Sequence, residues 1–402
     1  MRIRAIRTLQ ELAPVRARWQ QWQDHVNNDL AQFELVCRHR TEVESPCVIV
    51  IEQDSENNRD SGPDALLLGR IECNPFAPSI GYLQPVRMPA RVLVVIHQGL
   101  LGKLDDAAAG EVIGYLRSLL RSGVADAVAF HHLPEHSPLW QALQIERDTR
   151  LSVKAPRWAT HHEMRLPDDG RSVDSKLSAK HRSNMRRHQK DLEAAFPGRV
   201  VWRWMNAVDD IAALCAHLEP LAARTYQRAL GVGFFDDDDH RRRYELFARR
   251  GQLRVQLLEI DSQVRAFWIG SIYADVFNLS ETGYDPDLRE FKVGTLLFIR
   301  LADALAQEGV RRLDFGLGDA PYKARFGDRS WRETPAWLFA PTARGMAMML
   351  LLKLSLALDS GARRLVQHAG LTDRIKTGWR RRKAASGTRL TPSHPATARD
   401  RA

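Results

Sequence analysis

The 402-residue sequence has only four cysteines, Cys37, Cys47, Cys73 and Cys215, far apart, with no CxxC pair and no histidine at metal-ligand spacing. This excludes a disulfide framework and a zinc module, and the thiols are expected to be reduced core residues. The GxGxxG fingerprint of a dinucleotide-binding turn is also missing. Residues 1–30 lack the apolar stretch of a secretory signal, so a cytoplasmic location is expected. The longest apolar run, Met346 to Leu358, is broken by Lys353 and falls short of the ~20 residues of a bilayer span, so no transmembrane helix is expected. Acids are in deficit, 49 against 59 Lys and Arg, for a net charge of +10. That balance suits a nucleic acid, an anionic membrane surface or a phosphorylated ligand, and does not choose among them.

No metal centre is expected either. The acidic run Asp236 to Asp239 precedes three arginines at 241–243 and reads as a helix start with compensating charges. The pairs His131–His132 and His161–His162 would point to opposite faces of a strand and so would not hold one ion.

What remains is an ordinary globular composition, 44% hydrophobic and 27% charged, long enough for two or three packed units. Residues 65–72 and 92–96 read as strands. Residues 107–121 carry Val112, Ile113, Leu116, Leu119 and Leu120 at helical spacing, Gly123 stops them, and 125–130 resumes as a strand. The second half repeats the order: strands over 253–260, 264–273 and 276–282, a helix over 295–307 ended by Gly309, and a strand over 311–315. Two copies of one α/β unit account for this, although two similar βαβ units would look the same. Polar residues 167–175 mark a boundary, a basic helix follows, the chain after Pro341 turns helical and basic, and 384–402 has the composition of a disordered end. The expected division is 1–166, 167–341, 342–383 and 384–402.

Two stretches carry chemistry. From Asp285 the sequence reads DPDLREFKVGTLL, a helix start with a small residue. Its first free amides and the positive end of the helix dipole make an anion site, Gly294 allows close approach, and Arg289 and Lys292 add charge. An ordinary capped helix with solvated cations fits the same letters. Residues 314–328 read DFGLGDAPYKARFGD: Gly316 and Gly318 give an open turn, and Asp314, Asp319, Tyr322 and Lys323 gather at the end of a strand, where α/β sites form.

This second stretch resembles the GD-x-x-YK-x-x-(F/W)-G signature of the cellulose-biosynthesis-type GNAT acetyltransferases, the CelD/BcsL-like group, which in turn resemble the FemAB-type peptidyltransferases. Further matches are SAKHRSNMRRHQKDLE at 178–193, TYQRALGVGFF at 225–235, VRAFWIG at 264–270 and the helix from Gly294, together covering most of 175–340. The resemblance implies an α/β tandem GNAT-like double domain of mixed sheets with a helical basic tail, the first copy degenerate. The second copy would hold acetyl-CoA or another acyl-CoA between two splayed strands, its diphosphate at Arg289, Lys292, Val293, Gly294 and Thr295. The usual motif, Arg/Gln-x-x-Gly-x-Gly/Ala, here has Lys292 at its first glycine.

Direct acyl transfer needs a proton acceptor and stabilisation of the oxyanion and leaving thiolate. Asp319 or Asp314 is a candidate base and Glu281 a further one; Tyr322 would protonate the sulfur and Lys323 stabilise negative charge. Arg182, Arg186 and Lys190 line one helical face that would hold an anionic acceptor or simply be solvated, and Arg224 and Tyr226 are weaker acceptor candidates. The expected acceptor is a small molecule or saccharide linked to envelope or exopolysaccharide synthesis. Rivals are an aminoacyl-tRNA-dependent transferase of the FemAB kind and a non-catalytic nucleic-acid-binding scaffold, although no helix-turn-helix pattern supports nucleic acid as partner. The basic tail suggests peripheral contact with an anionic membrane, or docking on the protein core.

Overall fold

The computed structural model describes residues 1–52, 63–81, 83–145, 151–154, 158–229, 233–318 and 320–368, with side chains except at positions 226, 229 and 363–368. The described residues divide into two units, 1–159 with 332–368, and Thr160–Trp331.

The first unit contains β1 (Arg2–Ile6), α1 (Arg16–Trp22), α2 (Leu30–His39), β2 (Val43–Pro46), β3 (Val48–Glu52), β4 (Ala65–Phe76), β5 (Met88–Gly102), α3 (Asp106–Arg121), β6 (Ala127–Pro134), α4 (Pro138–Ile145) and β7 (Ser152–Lys154). The second contains β8 (Ala159–Arg165), α5 (Ala179–Ala195), β9 (Val200–Met205), α6 (Ile211–Ala222), α7 (Tyr226–Ala229), α8 (Asp238–Arg249), β10 (Leu253–Ile260), β11 (Gln263–Tyr273), β12 (Val276–Tyr284), α9 (Val293–Gln307), β13 (Arg312–Leu317) and α10 (Pro321–Phe326). The chain ends, as described, in β14 (Arg329–Phe339) and α11 (Ala343–His368).

Strand order in the first unit is β1-β3-β4-β5-β6-β14, with β2 on β4 and β7 on β14; in the second it is β9-β10-β11-β12-β13-β8. The first sheet is antiparallel except for β5 with β6, and the second except for β12 with β13. Each parallel pair is joined by a helix, α3 or α9, the crossover that parallel strands require. Period-two alternation sends Ile49, Ile51 and Leu67 to the face covered by α3, and Val48, Val50, Leu66 and Leu68 to the face covered by α1 and α2. In the second unit Leu297, Leu301 and Leu305 of α9 pack on Leu258, Ala266, Phe277 and Leu313. Each such leucine, isoleucine, valine or phenylalanine, fully buried, stabilises its unit by about 1.5–3 kcal/mol.

The boundary expected at 167 falls instead at 160, and residues 332–341, assigned from sequence to the second domain, belong to the first unit. The physical reason is strand pairing: β14 lies antiparallel on β6, and Ala336 and Leu338 are buried in the core under α3. The strand beside β13 is β8, which precedes its own unit's other strands in sequence. Each sheet is thus completed by a strand from the stretch that follows the other sheet.

The C-terminal stretch is longer than the apolar run suggested. Within α11, the 20 residues Ala343–Ala362 are long and apolar enough to cross a membrane by length and composition alone. One face nevertheless packs on the first unit: Met348 is fully buried, Ser355 Oγ donates to the Ser79 carbonyl at 2.7 Å, and the Gly81 amide donates to Asp359 at 2.6 Å. The thiols also differ from expectation. Cys47 and Cys215 are buried, but Cys73 is exposed, donating to Glu44 at 3.2 Å.

Candidate active site

The parallel pairing of β12 and β13 lasts three residue pairs, Val276 with Arg312, Phe277 with Leu313 and Asn278 with Asp314. Both strands run on, to Tyr284 and Leu317, without pairing further, so they part just beyond Asp314. At the same level β12 is irregular: Gly270 pairs with Leu279 and Ile269 with Glu281, leaving Ser280 as an extra residue. Such a bulge turns backbone groups out of the ladder, and bulges recur beside active sites. The first unit repeats the arrangement, with β5–β6 pairing ending at Val95 and Phe130 and an irregularity in β5 beyond Val95, where Gln98 has φ 59°.

The start of α9 follows β12 through the 3₁₀ turn Pro286–Phe291. Helices α3, α5, α6 and α8 begin with Asp105, Ser178, Asp210 and Asp237, whose side chains accept from the first-turn amides. Helix α9 has Lys292 there, without a side-chain cap, in the left-handed conformation, φ 53° and ψ 34°. The sequence placed lysine where the related motif has glycine, and the backbone keeps the conformation that favours glycine. The amides of Lys292 and Thr295 are used, donating to the Arg289 carbonyl at 3.2 Å and the Lys292 carbonyl at 2.9 Å, so an anion at this helix start would meet those of Val293 and Gly294. Arg289 and Lys292 are exposed, Thr295 is half-buried, and Val293 is buried in the core. A Cβ on Gly294 would lie 3.3 Å from Tyr284 Cδ1, so the small residue serves packing against that ring.

Tyr322, at the start of α10, is in contact with the same end of α9. Its ring centroid lies 5.6 Å from Trp268, 5.7 Å from Phe315 and 6.3 Å from Phe298, one turn beyond Gly294, and the Trp268 indole N–H donates to the Gly294 carbonyl at 3.3 Å. Lys323 is buried, its ammonium donating to the Leu317 carbonyl and, at 3.5 Å, to that of Gly316. It holds the turn in which Gly316 and Gly318 take φ of 67° and 116°, whereas the sequence reading had it stabilise negative charge in the reaction. Asp319 lies outside the described residues.

Asp314, where the strands part, accepts from the Gly316 amide at 2.6 Å and lies 2.6 Å from His161 Nε2. The His161 ring stacks on Trp331 at 4.2 Å. Sequence reading weighed His161 only as a metal ligand and not as a partner of Asp314, because only the pairing of β8 with β13 brings the two together.

Glu281 does not stand free as a base. It is buried, accepting from Arg243 at 2.8 Å and from the Tyr244 hydroxyl, with His240 Nε2 at 3.6 Å. Burial by itself would raise its pKa, but the Arg243 guanidinium and the contacts from His240 and Tyr244 win and lower it to about 2. A carboxylate so stabilised is a poor proton acceptor.

Among the acceptor candidates, Arg182 donates to the Leu177 carbonyl at 2.6 Å, while Arg186 and Lys190 are exposed on α5. Helix α5 packs against the 3₁₀ turn before α9, and Phe196 at its end lies 6.3 Å from Phe291. Arg224 is engaged with Asp285 at 3.2 Å and Asp287 at 2.6 Å, anchoring that turn from below its N-cap. The side chain of Tyr226 lies outside the described residues. The acidic run does start a helix, with Asp237 accepting from the His240 amide at 2.9 Å and Asp236 paired with Arg241 at 2.6 Å.

The fold is a tandem GNAT-like fold. The tandem GNAT protein from the clavulanic acid biosynthesis pathway superposes with TM-score 0.52 at 11% identity, over 85% of this chain and 100% of that one. FemX does so with TM-score 0.52 at 10% identity, over 84% and 97%. Residues 179–324, within the second unit, match the family described as acetyltransferase (GNAT) domain. Among curated proteins the sequence has no match. The domain match points to an acyltransferase and to an acyl-CoA donor, and leaves the acceptor open.

Proposed function

We propose that the second unit transfers an acyl group from acyl-CoA, most simply acetyl-CoA, to an amine or hydroxyl of a saccharide, saccharide precursor or amino compound. The observation that carries the reading is the start of α9, uncapped and opened by a left-handed Lys292, beside two parallel strands that part at Asp314. The amides of Val293 and Gly294 and the charges of Arg289 and Lys292 suit a diphosphate. The parted strands leave backbone groups, including those at the Ser280 bulge, for an extended amide-bearing arm and its thioester carbonyl.

In the transfer, the acceptor nitrogen or oxygen bonds to the acyl carbon, the carbon–sulfur bond breaks, the acceptor loses a proton and the thiolate gains one. We assign proton acceptance to Asp314 with His161, directly or through water, since the carboxylate orients the imidazole and supports its charge. Tyr322, packed on the first turns of α9, is assigned as donor to the sulfur. Lys323 and Glu281 are positioning residues: one holds the turn that carries Tyr322, the other ties β12 to α8. The exposed Arg186 and Lys190 favour an acceptor with negative charge.

Thr295→Glu tests the reading. An acid in the first turn of a helix favours the helix dipole, so the melting temperature is expected to hold or rise. The same charge repels a diphosphate, and affinity for CoA measured by titration calorimetry should fall by about tenfold or more, as one unfavourable charge contact of some 1.4 kcal/mol or more would produce. Equal CoA affinity in the variant, or none in the wild type, would remove the proposal. Binding of aminoacyl-tRNA with no binding of CoA would move the protein to the FemAB kind of chemistry.

A further inference from the structure

Helix α11 presents a second apolar face to solvent. Met346, Leu350, Leu354 and Leu358, one turn apart, are 45%, 61%, 57% and 48% exposed. The stripe is about 18 Å long at 1.5 Å rise per residue. Exposed Ala347, Ala357 and Gly361 lie between them, and Lys353 is the one charged residue at its margin. The opposite face is already used, through Met348, Ser355 and Asp359, so the stripe is not the helix's contact with its own unit. The loop tied to the other face of α11 at Ser79 and Gly81 carries Leu83, 71% exposed, and Val86. Isolated exposed leucines are ordinary, whereas a contiguous apolar row marks an interaction surface.

We infer that this face of α11 lies on an anionic lipid bilayer, with the helix in the plane of the interface. Charge chooses the occupant. Residues 343–362 include one acid, Asp359, and it is buried. The sequence over 363–383 holds eight Lys or Arg against one acid, Asp373. A second copy of the chain would bring two such basic runs together, and residues 369–402 have too few large apolar side chains to cover the stripe. An apolar helical face continued by a polybasic segment matches the acyl boundary and headgroup charge of an anionic leaflet. A crossing helix is disfavoured by the same geometry, because insertion would pull Ser355 and Asp359 from their partners on the 79–81 loop and leave both polar groups in hydrocarbon.

Flotation of the full chain with vesicles tests this. The wild type should float with mixed phosphatidylcholine and phosphatidylglycerol vesicles, float less with phosphatidylcholine alone, lose binding in high salt, and be released by alkaline extraction. Leu350→Glu with Leu354→Glu should lower the partition coefficient by about tenfold or more, since buried apolar area and attraction to anionic lipid both fall. Its melting temperature should be unchanged, because both side chains are largely exposed. The inference is overturned if the wild type stays with the soluble fraction, if the double variant floats equally, or if alkaline extraction leaves the protein in the vesicles. It is also overturned if there is no flotation but a concentration-dependent dimer that the double change abolishes, which would give the face to a second copy.

Discussion

Glu281 shows how much a single residue's surroundings alter its chemistry. As a letter at the end of an extended run it offered a base; folded, it is the acceptor for Arg243 and Tyr244, with His240 3.6 Å away. Replacing it by glutamine leaves the half-buried Arg243 guanidinium without its counter-charge, and removal of one partner of a fully buried pair costs about 3–5 kcal/mol, the upper bound for this one. Glu281→Gln should therefore lower stability by that order in urea unfolding, with acyl transfer in the folded fraction reduced far less than by loss of a base. The pH dependence has two limbs. The folded pKa of Glu281 is lowered from 4.5 to about 2, so its contribution is complete above 4.5 and is lost as pH falls toward 2. The pKa of His240 is raised from 6.5: burial opposes the charge, but hydrogen bonds to Asp237 and Glu281 prevail. Its contribution is complete below 6.5 and is lost as pH rises through the raised value. Melting temperature against pH should decline on both sides of the interval from 4.5 to 6.5, and the acid limb should be shallower in Glu281→Gln.

At the scale of the element, the start of α9 separates a folding requirement from a binding one. Lys292 occupies a left-handed conformation that costs a residue with a Cβ roughly 1–2 kcal/mol. Lys292→Gly should consequently keep or slightly raise stability, within about 1 kcal/mol after the entropy of glycine in the unfolded chain is set against the relieved strain. It should also weaken CoA through loss of the charge. A fall in both stability and affinity would mean that the lysine side chain, and not the backbone it opens, organises the turn. The strands and helix around this element were readable from periodicity: the strand expected at 253–260 is β10, and the helix expected at 295–307 is α9 from Val293. The positive φ at Lys292 was not, since no local propensity asks a lysine to adopt it; the chain is held there by Asp285, buried and paired with Arg224 and Arg265.

At the scale of the whole molecule, pairing between strands distant in sequence decides which segments fold together. Residues 332–368 supply the first unit with β14 and α11, and Leu338 and Phe339 are fully buried there. A chain ending at Trp331 should therefore lose cooperative unfolding of the first unit, measured by calorimetry or hydrogen exchange in strands β5 and β6. If that truncated chain keeps a native melt for both units, the last strand is dispensable and the division at 332 has no energetic content.

Local pattern alone determined the strand–helix–strand order within 65–130 and within 253–315 and the turn after β13, because hydrophobic period and glycine placement act over a few neighbours; that the two stretches are copies of one plan it left open. Only the tertiary structure decided that Asp314 meets His161, that Glu281 is committed to Arg243, that Lys323 turns back on the carbonyls of its own loop, and that β14 completes the first sheet. The first and last depend on which strands become neighbours across more than a hundred residues, and the other two on burial, which sets whether a carboxylate or an ammonium meets a partner or water.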